Sequence, residues 1–229
     1  MSCSADPDPL DDRHPEPGLR ADAERNRDRI VAAARRLFAG RGLGVSMACV
    51  AREAGVGKAT LSRRFATREE LINAVFADRM DAYAAATAQA LADPDPWRGF
   101  TGFIETVCAM QAADRGFADV LARSFPAAKA VEARRAEAYE GFLAIIARAQ
   151  AAGHLRDDFT ADDLVILLMA NAGVVAATTD SAPDTWRRLV GQMLRAYAAP
   201  GAPLPPLAPP PSQTALYRAM VRIARPAPG

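Results

Sequence analysis

From Ala21 to about Ala199 the apolar residues recur at helical spacing, and no run of alternating β-branched residues breaks the pattern. A chain patterned this way folds as an all-α protein. Half of its 229 residues are apolar, so it can bury a core without disulfide or metal staples. The two ends differ. Residues 1–20 hold four prolines and five acids and read as a disordered acidic leader. Residues 200–211 carry seven prolines and read as an extended linker. Residues 212–229 regain a helical period, with Leu216, Met220 and Ile223 on one face and Arg218, Arg222 and Arg225 on another. That pattern is a short amphipathic tail.

The net charge of +1 argues against a polyanionic partner only if it is evenly spread. It is not. Residues 20–75 hold twelve basic against six acidic side chains, a local +6, whereas residues 1–19 sum to −4 and residues 76–229 to −1. Local charge governs attraction to a polyanion. The acidic, Pro-rich start has neither the basic nor the apolar region of a secretory signal. The uncharged stretch Leu164–Thr179 falls short of a membrane span and reads as a buried helix. Cys3, Cys49 and Cys108 are odd in number and lack ligand spacing, which fits reduced thiols in the cytoplasm. No membrane partner is expected.

The basic segment, residues 21–75, has its own organisation. Ile30, Ala34, Leu37 and Phe38 form one apolar helical face, and Gly40-Arg41-Gly42 ends that helix. Ser46 caps a second helix containing Met47, Val50, Ala51 and Ala54. Ala54-Gly55-Val56-Gly57 then forces a sharp turn, with Val56 placed to tuck between two crossing helices. A short third helix, about Lys58 to Phe65, follows, anchored by Leu61 and Phe65. Thr67-Arg68-Glu69-Glu70 is a capping box opening a fourth helix. Two short helices joined by a tight glycine turn, the second one basic, form a helix-turn-helix. The N-terminal part of its second helix faces bases, so Lys58, Ala59 and Thr60 are candidate base contacts. Arg63 and Arg64 suit phosphates, as does Arg68 at the head of the fourth helix. Ser46 and Ser62 complete the candidate DNA-binding set, and Arg25, Arg27 and Arg29 could reach the flanking backbone.

The run Arg29-Ile30-Val31, Ala34, Leu37-Phe38, Gly42, Val45-Ser46-Met47, Val50-Ala51, Ala54-Gly55-Val56-Gly57-Lys58-Ala59-Thr60-Leu61, Phe65-Ala66-Thr67-Arg68-Glu69-Glu70-Leu71 closely resembles the DNA-binding domain of the TetR family of bacterial repressors. Ala152-Gly153-His154-Leu155-Arg156 through Leu164 is similar to that family's junction before its last two helices. Ser62 stands where the family usually has Tyr. Arg64 stands where it often has His or Tyr, and supplies a charged donor in place of that phenol.

The resemblance implies a three-helix head joined by a fourth helix to an effector-binding and dimerisation domain, residues 76–199. Ser124 and Pro126 are expected to open a long helix there that Gly153 closes, and nine helices are expected through residue 199. The resemblance also implies double-stranded DNA, a second copy of the chain and a small-molecule effector as partners. Phe103, Val107, Met110, Phe142, Met169 and Asn171 are candidate pocket residues, with core packing as the competing reading. Trp186, Leu189, Val190, Met193 and Tyr197 recur along one helical face and are the candidate dimer interface, again against core packing. His14 and His154 are the only histidines, and no catalytic or metal-binding constellation can be assembled from them. The expectation is therefore a ligand-responsive repressor, neither an enzyme nor a cofactor protein. The competing reading is a helical ligand-binding or interaction protein without sequence-specific DNA binding.

Overall fold

The computed structural model describes residues 17–122 and 128–224, and among them it holds ten α-helices and no strand. The helices are α1 (Pro17–Arg41), α2 (Met47–Glu53), α3 (Lys58–Arg64), α4 (Arg68–Ala92), α5 (Pro96–Ala113), α6 (Arg115–Ala122), α7 (Lys129–Ala151), α8 (Ala161–Thr178), α9 (Thr185–Tyr197) and α10 (Gln213–Ala224). Helix α1 begins inside the stretch read as leader. The residues before Pro17, and Ser124 and Pro126, lie outside the described residues.

Local chemistry sets the boundaries. The Ser46 hydroxyl accepts from the Cys49 amide (3.3 Å) and starts α2. At α4 the Thr67 hydroxyl accepts from the Glu70 amide (3.1 Å), while the Glu70 carboxylate accepts from the Ala66 amide (2.8 Å). The reciprocal pair thus reaches one residue further back than a standard capping box. Asp95 caps α5 through the Trp97 and Arg98 amides, with Pro96 in the first turn.

Ile30, Ala34 and Phe38 of α1 are buried as their spacing predicts, together with Val50, Leu61, Phe65 and Leu71. They close the head around one core. Head and body are continuous. The rings of Phe38, Phe76 and Phe117 follow one another at 6.2 and 6.4 Å, tying α1 to α4 and α6. Helix α6 lies on α1 so closely that a Cβ at Gly116 would sit 2.8 Å from Phe38 Cβ. The Asp119 carboxylate of α6 accepts from the Leu43 amide of the head (2.7 Å). In the body a second aromatic cluster joins α5, α7 and α9, including Phe103 on Phe142 (5.2 Å) and Phe159 on Tyr197 (4.8 Å).

Helix α8 departs from its expected burial. Leu164, Leu167, Leu168 and Asn171 face the core, whereas Val165, Ile166 and Met169 are exposed. Residues 200–212 run irregularly over the body. The Trp97 indole donates to the Pro203 carbonyl (2.8 Å), and Arg195 and Arg188 donate to the carbonyls of Pro205 and Ala208. Helix α10 then packs on α8 through buried Ala219, and Arg222 pairs with Asp180 and donates to the Ala176 carbonyl.

Candidate nucleic-acid interface and ligand groove

The turn between α2 and α3 is held from behind. Gly55 takes a φ of +63°, a left-handed conformation that side-chain-bearing residues rarely adopt. Arg29 of α1 donates to the carbonyls of Ala54 (2.8 Å) and Gly55 (3.1 Å). Arg29, one of the cations expected near the DNA backbone, holds the turn from behind and is itself exposed. Arg27 lies over the Phe65 ring (5.8 Å) and Arg25 pairs with Asp22. Val56 is half-buried, as its position between crossing helices requires.

With Leu61 and Phe65 sunk in the core, α3 turns its remaining residues outward. Lys58, Ala59, Ser62, Arg63 and Arg64 are exposed and Thr60 is half-exposed. Lys58, Arg63 and Arg64 make no ion pair or hydrogen bond among the described residues. Three uncompensated cations thus stand on one short helix that the fold presents to solvent. That arrangement suits a groove lined by phosphates and base acceptors. Ser46 is exposed on the same module with its hydroxyl engaged as the α2 cap.

Arg68, a candidate phosphate contact, also makes contacts inside the head. Its guanidinium donates to the Val45 carbonyl (2.7 Å) and lies over the Phe38 ring (5.7 Å). The side chain is half-buried and braces the head. Sequence cannot separate Arg29 and Arg68 from Arg63 and Arg64. The distinction depends on where the Ala54, Gly55 and Val45 carbonyls lie in space.

The candidate pocket residues do not line one shared cavity, although Phe103 and Phe142 stack on each other. Phe103, Val107 and Phe142 are core residues, Met110 is half-buried, and Met169 faces outward. Asn171 is fully buried and bonds within the chain, its amide donating to Gln111 Oε1 (2.7 Å) and to the Cys108 carbonyl (3.3 Å). Its Oδ1 has no partner among the described residues. Only Phe142 borders a groove of about 300 Å³ between α4, α6, α7 and α8, whose walls include Tyr83, Leu121, Arg135, Tyr139 and Leu168. Arg135 pairs there with Glu132 (3.2 Å). Burial pushes the Tyr83 phenol up to about 12, against the opposing pull of Arg135, so it stays a neutral donor. Tyr83, Arg135 and Tyr139 were not legible as pocket residues, because helical spacing does not reveal which helices enclose a space.

The candidate interface residues are also largely spent inside. Trp186, Val190 and Tyr197 are buried within the chain, and Leu189 and Met193 are half-buried. The physical reason is that α9 packs on α5 and α8, while the segment after it covers Gly191 with Leu207. The Cys108 thiol is also a core group, pushed up to about 12 by burial and by nearby Glu105.

Comparison with known proteins agrees with this anatomy. Residues 30–75 match the family described as bacterial regulatory proteins, tetR family, and residues 95–195 match the C-terminal domain of SbtR-like transcriptional regulators. No curated protein matches the chain. Among solved structures, a TetR transcription regulatory protein from Mycobacterium vanbaalenii is 35% identical, over 71% of this chain and 97% of that one, with a TM-score of 0.40. PfmR, a TetR family transcriptional regulator from Thermus thermophilus, is 23% identical over 74% and 95% of the two chains, with a TM-score of 0.52. NalD, the secondary repressor of the MexAB-OprM multidrug efflux pump in Pseudomonas aeruginosa, is 18% identical over 79% and 98%, with a TM-score of 0.53.

Proposed function

Because the chain belongs to the TetR family of bacterial regulatory proteins, a family of DNA-binding transcriptional regulators, we propose that it acts in the cytoplasm as a repressor that binds a palindromic operator as a homodimer and is released by a small molecule. The observation that carries this reading is the exposed, unpaired set Lys58, Arg63 and Arg64 on α3. One seven-residue helix makes few base contacts. Two heads about 34–36 Å apart read both halves of a palindrome.

The groove bordered by Tyr83 and Phe142 is the effector site in this reading. Its size and walls suit a small, partly aromatic molecule that accepts a hydrogen bond from the neutral Tyr83 phenol. The route to the head is short. Tyr83 lies on α4 and Leu121 on α6, and both helices continue into the Phe38–Phe76–Phe117 stack and the Asp119–Leu43 hydrogen bond. A ligand that favours a different spacing of α4 and α6 lowers DNA affinity by shifting the population of head separations.

The test is selection of bound fragments from a random DNA library, followed by a gel shift with the recovered sequence and a screen for compounds that release it. A palindromic consensus is expected. Salt-sensitive binding without sequence preference would instead favour a protein whose basic head no longer reads bases. Tyr83→Phe should weaken the releasing compound without changing DNA affinity.

A further inference from the structure

We propose that the acidic segment before α1, residues 1–16, docks on the exposed cationic face of α3 and competes there with DNA. The segment lies outside the described residues, and the family match begins only at residue 30. The docking follows from charge and reach. Its effect on affinity rests on the DNA-binding reading above.

Helix α3 is where the charge of the head is left open. Lys58, Arg63 and Arg64 are exposed and make no ion pair among the described residues. Acids of the head are engaged elsewhere. Asp22 pairs with Arg25, Glu53 pairs with Arg36, and the Glu70 carboxylate accepts from the Ala66 amide. Residues 1–16 hold Asp6, Asp8, Asp11, Asp12 and Glu16 against one cation, Arg13, a net −4. A block of free carboxylates and a face of free cations thus belong to the same chain, and opposite charges attract across the few ångströms of a surface contact.

The path from that block to α3 is short. Arg27 of α1 lies over the Phe65 ring (5.8 Å), and Phe65 ends α3 beside Arg63 and Arg64. At helical rise, Pro17 stands about 15 Å from Arg27 along α1. A segment the length of residues 1–16 spans up to about 50 Å when extended. Asp11 and Asp12 can therefore meet Arg63 and Arg64, and Asp6 and Asp8 can meet Lys58 at the far end of the helix. Tethering holds these acids near α3 at an effective concentration of the order of millimolar. Surface ion pairs are individually weak. The docked acids consequently yield to a duplex, whose phosphates set one charge about every 1.7 Å. Every duplex must displace the segment first, which is a standing handicap on DNA binding.

Lys58 and Lys129 are the only lysines of the chain, at the start of α3 and of α7. A water-soluble carbodiimide joins a carboxylate to an amine it touches, so treating the full chain and mapping the products by mass spectrometry tests the docking. The expected product is an amide between Lys58 and Asp6, Asp8, Asp11 or Asp12, with none from these acids to Lys129. A short random-sequence duplex should suppress it. Fluorescence anisotropy with the same duplex then compares the full chain with Asp6→Asn/Asp8→Asn/Asp11→Asn/Asp12→Asn. That variant should bind at least about fivefold tighter at roughly 50 mM salt, and the gap should close towards roughly 200 mM. Glu at the same four positions should keep the full-chain value. Absence of the Lys58 product overturns the docking, and a variant that still binds more tightly then shows repulsion of DNA at a distance. The Lys58 product with unchanged affinity overturns the competition. If neither protein binds any duplex, the DNA-binding reading and the competition fall together, while the Lys58 product still decides the docking.

Discussion

The division between Arg63 and Arg68 is the sharpest test of the head. Both are cations near the tip, yet Arg63 is exposed and unpaired, while Arg68 donates to Val45 and stacks on Phe38. Arg63→Ala removes one phosphate contact from each head, hence two from an operator complex. Each contact contributes about −0.9 to the slope of log affinity against log salt, so the slope should become less negative by roughly 1.8. Between about 50 and 200 mM salt, the loss of affinity should then be about twelvefold smaller than for the parent chain. Arg68→Ala should leave the slope unchanged. It removes a charge-assisted hydrogen bond and a ring contact at a half-buried site, together worth about 2 kcal/mol. For a chain of this size that lowers the melting temperature by roughly 4–8 °C.

Fluorescence anisotropy with the selected operator, titrated with salt, reads the first quantity, and thermal circular dichroism reads the second. If Arg68→Ala flattens the salt slope as Arg63→Ala does and melts like the parent, Arg68 is a phosphate ligand and the bracing role is refuted.

Lys58→Ala should lower discrimination between the operator and single-base variants by about 1–3 kcal/mol per half-site, read as the ratio of their affinities. Gly55→Ala forces a Cβ into a left-handed backbone, 2.9 Å from the Arg29 guanidinium, and should destabilise by at least 1–2 kcal/mol in urea unfolding, on the order expected for such strain. Stability should also fall in alkali. The Cys108 thiol rises from 9.0 to about 12 and the Tyr83 phenol from 10.0 to about 12 on burial, so the unfolded chain loses these protons first. The stability they contribute is full below about pH 9 and declines towards pH 12, by up to about 1.4 kcal/mol per pH unit for each group. Cys108→Ala should flatten the first part of that decline, measured by urea unfolding at stepped pH. An unchanged profile would show that the thiol is not the group responsible.

The head was legible because its determinants are local. The spacing of Ile30, Ala34 and Phe38, the caps at Ser46 and Thr67 and the glycine turn each act within a few residues, and the structure places them as read, except that Glu70 closes on the Ala66 amide. The body was legible as a count of helices and much less as a map of their faces. Nine helices run from Pro17 to Tyr197 among the described residues, as expected. Asn171, however, finds Gln111 sixty residues away, and the groove is walled by helices far apart in sequence. Contacts of that kind depend on how helices cross, which the 3.6-residue period does not encode.

The two apolar surfaces of the body show what such a period does encode. A stripe such as Trp186, Val190 and Tyr197 states that one face must leave water, and burial yields about 25 cal/mol per Å² whether the cover comes from the same chain or another. In α9 the same chain supplies it, from α5, α8 and the segment carrying Leu207. A helix apolar all round carries more information than a stripe. Leu164–Thr179 has nearly no polar side to turn to solvent, yet the core and α10 together leave Val165, Ile166 and Met169 exposed. The amphipathic α9 has one face to hide, and the chain itself hides it.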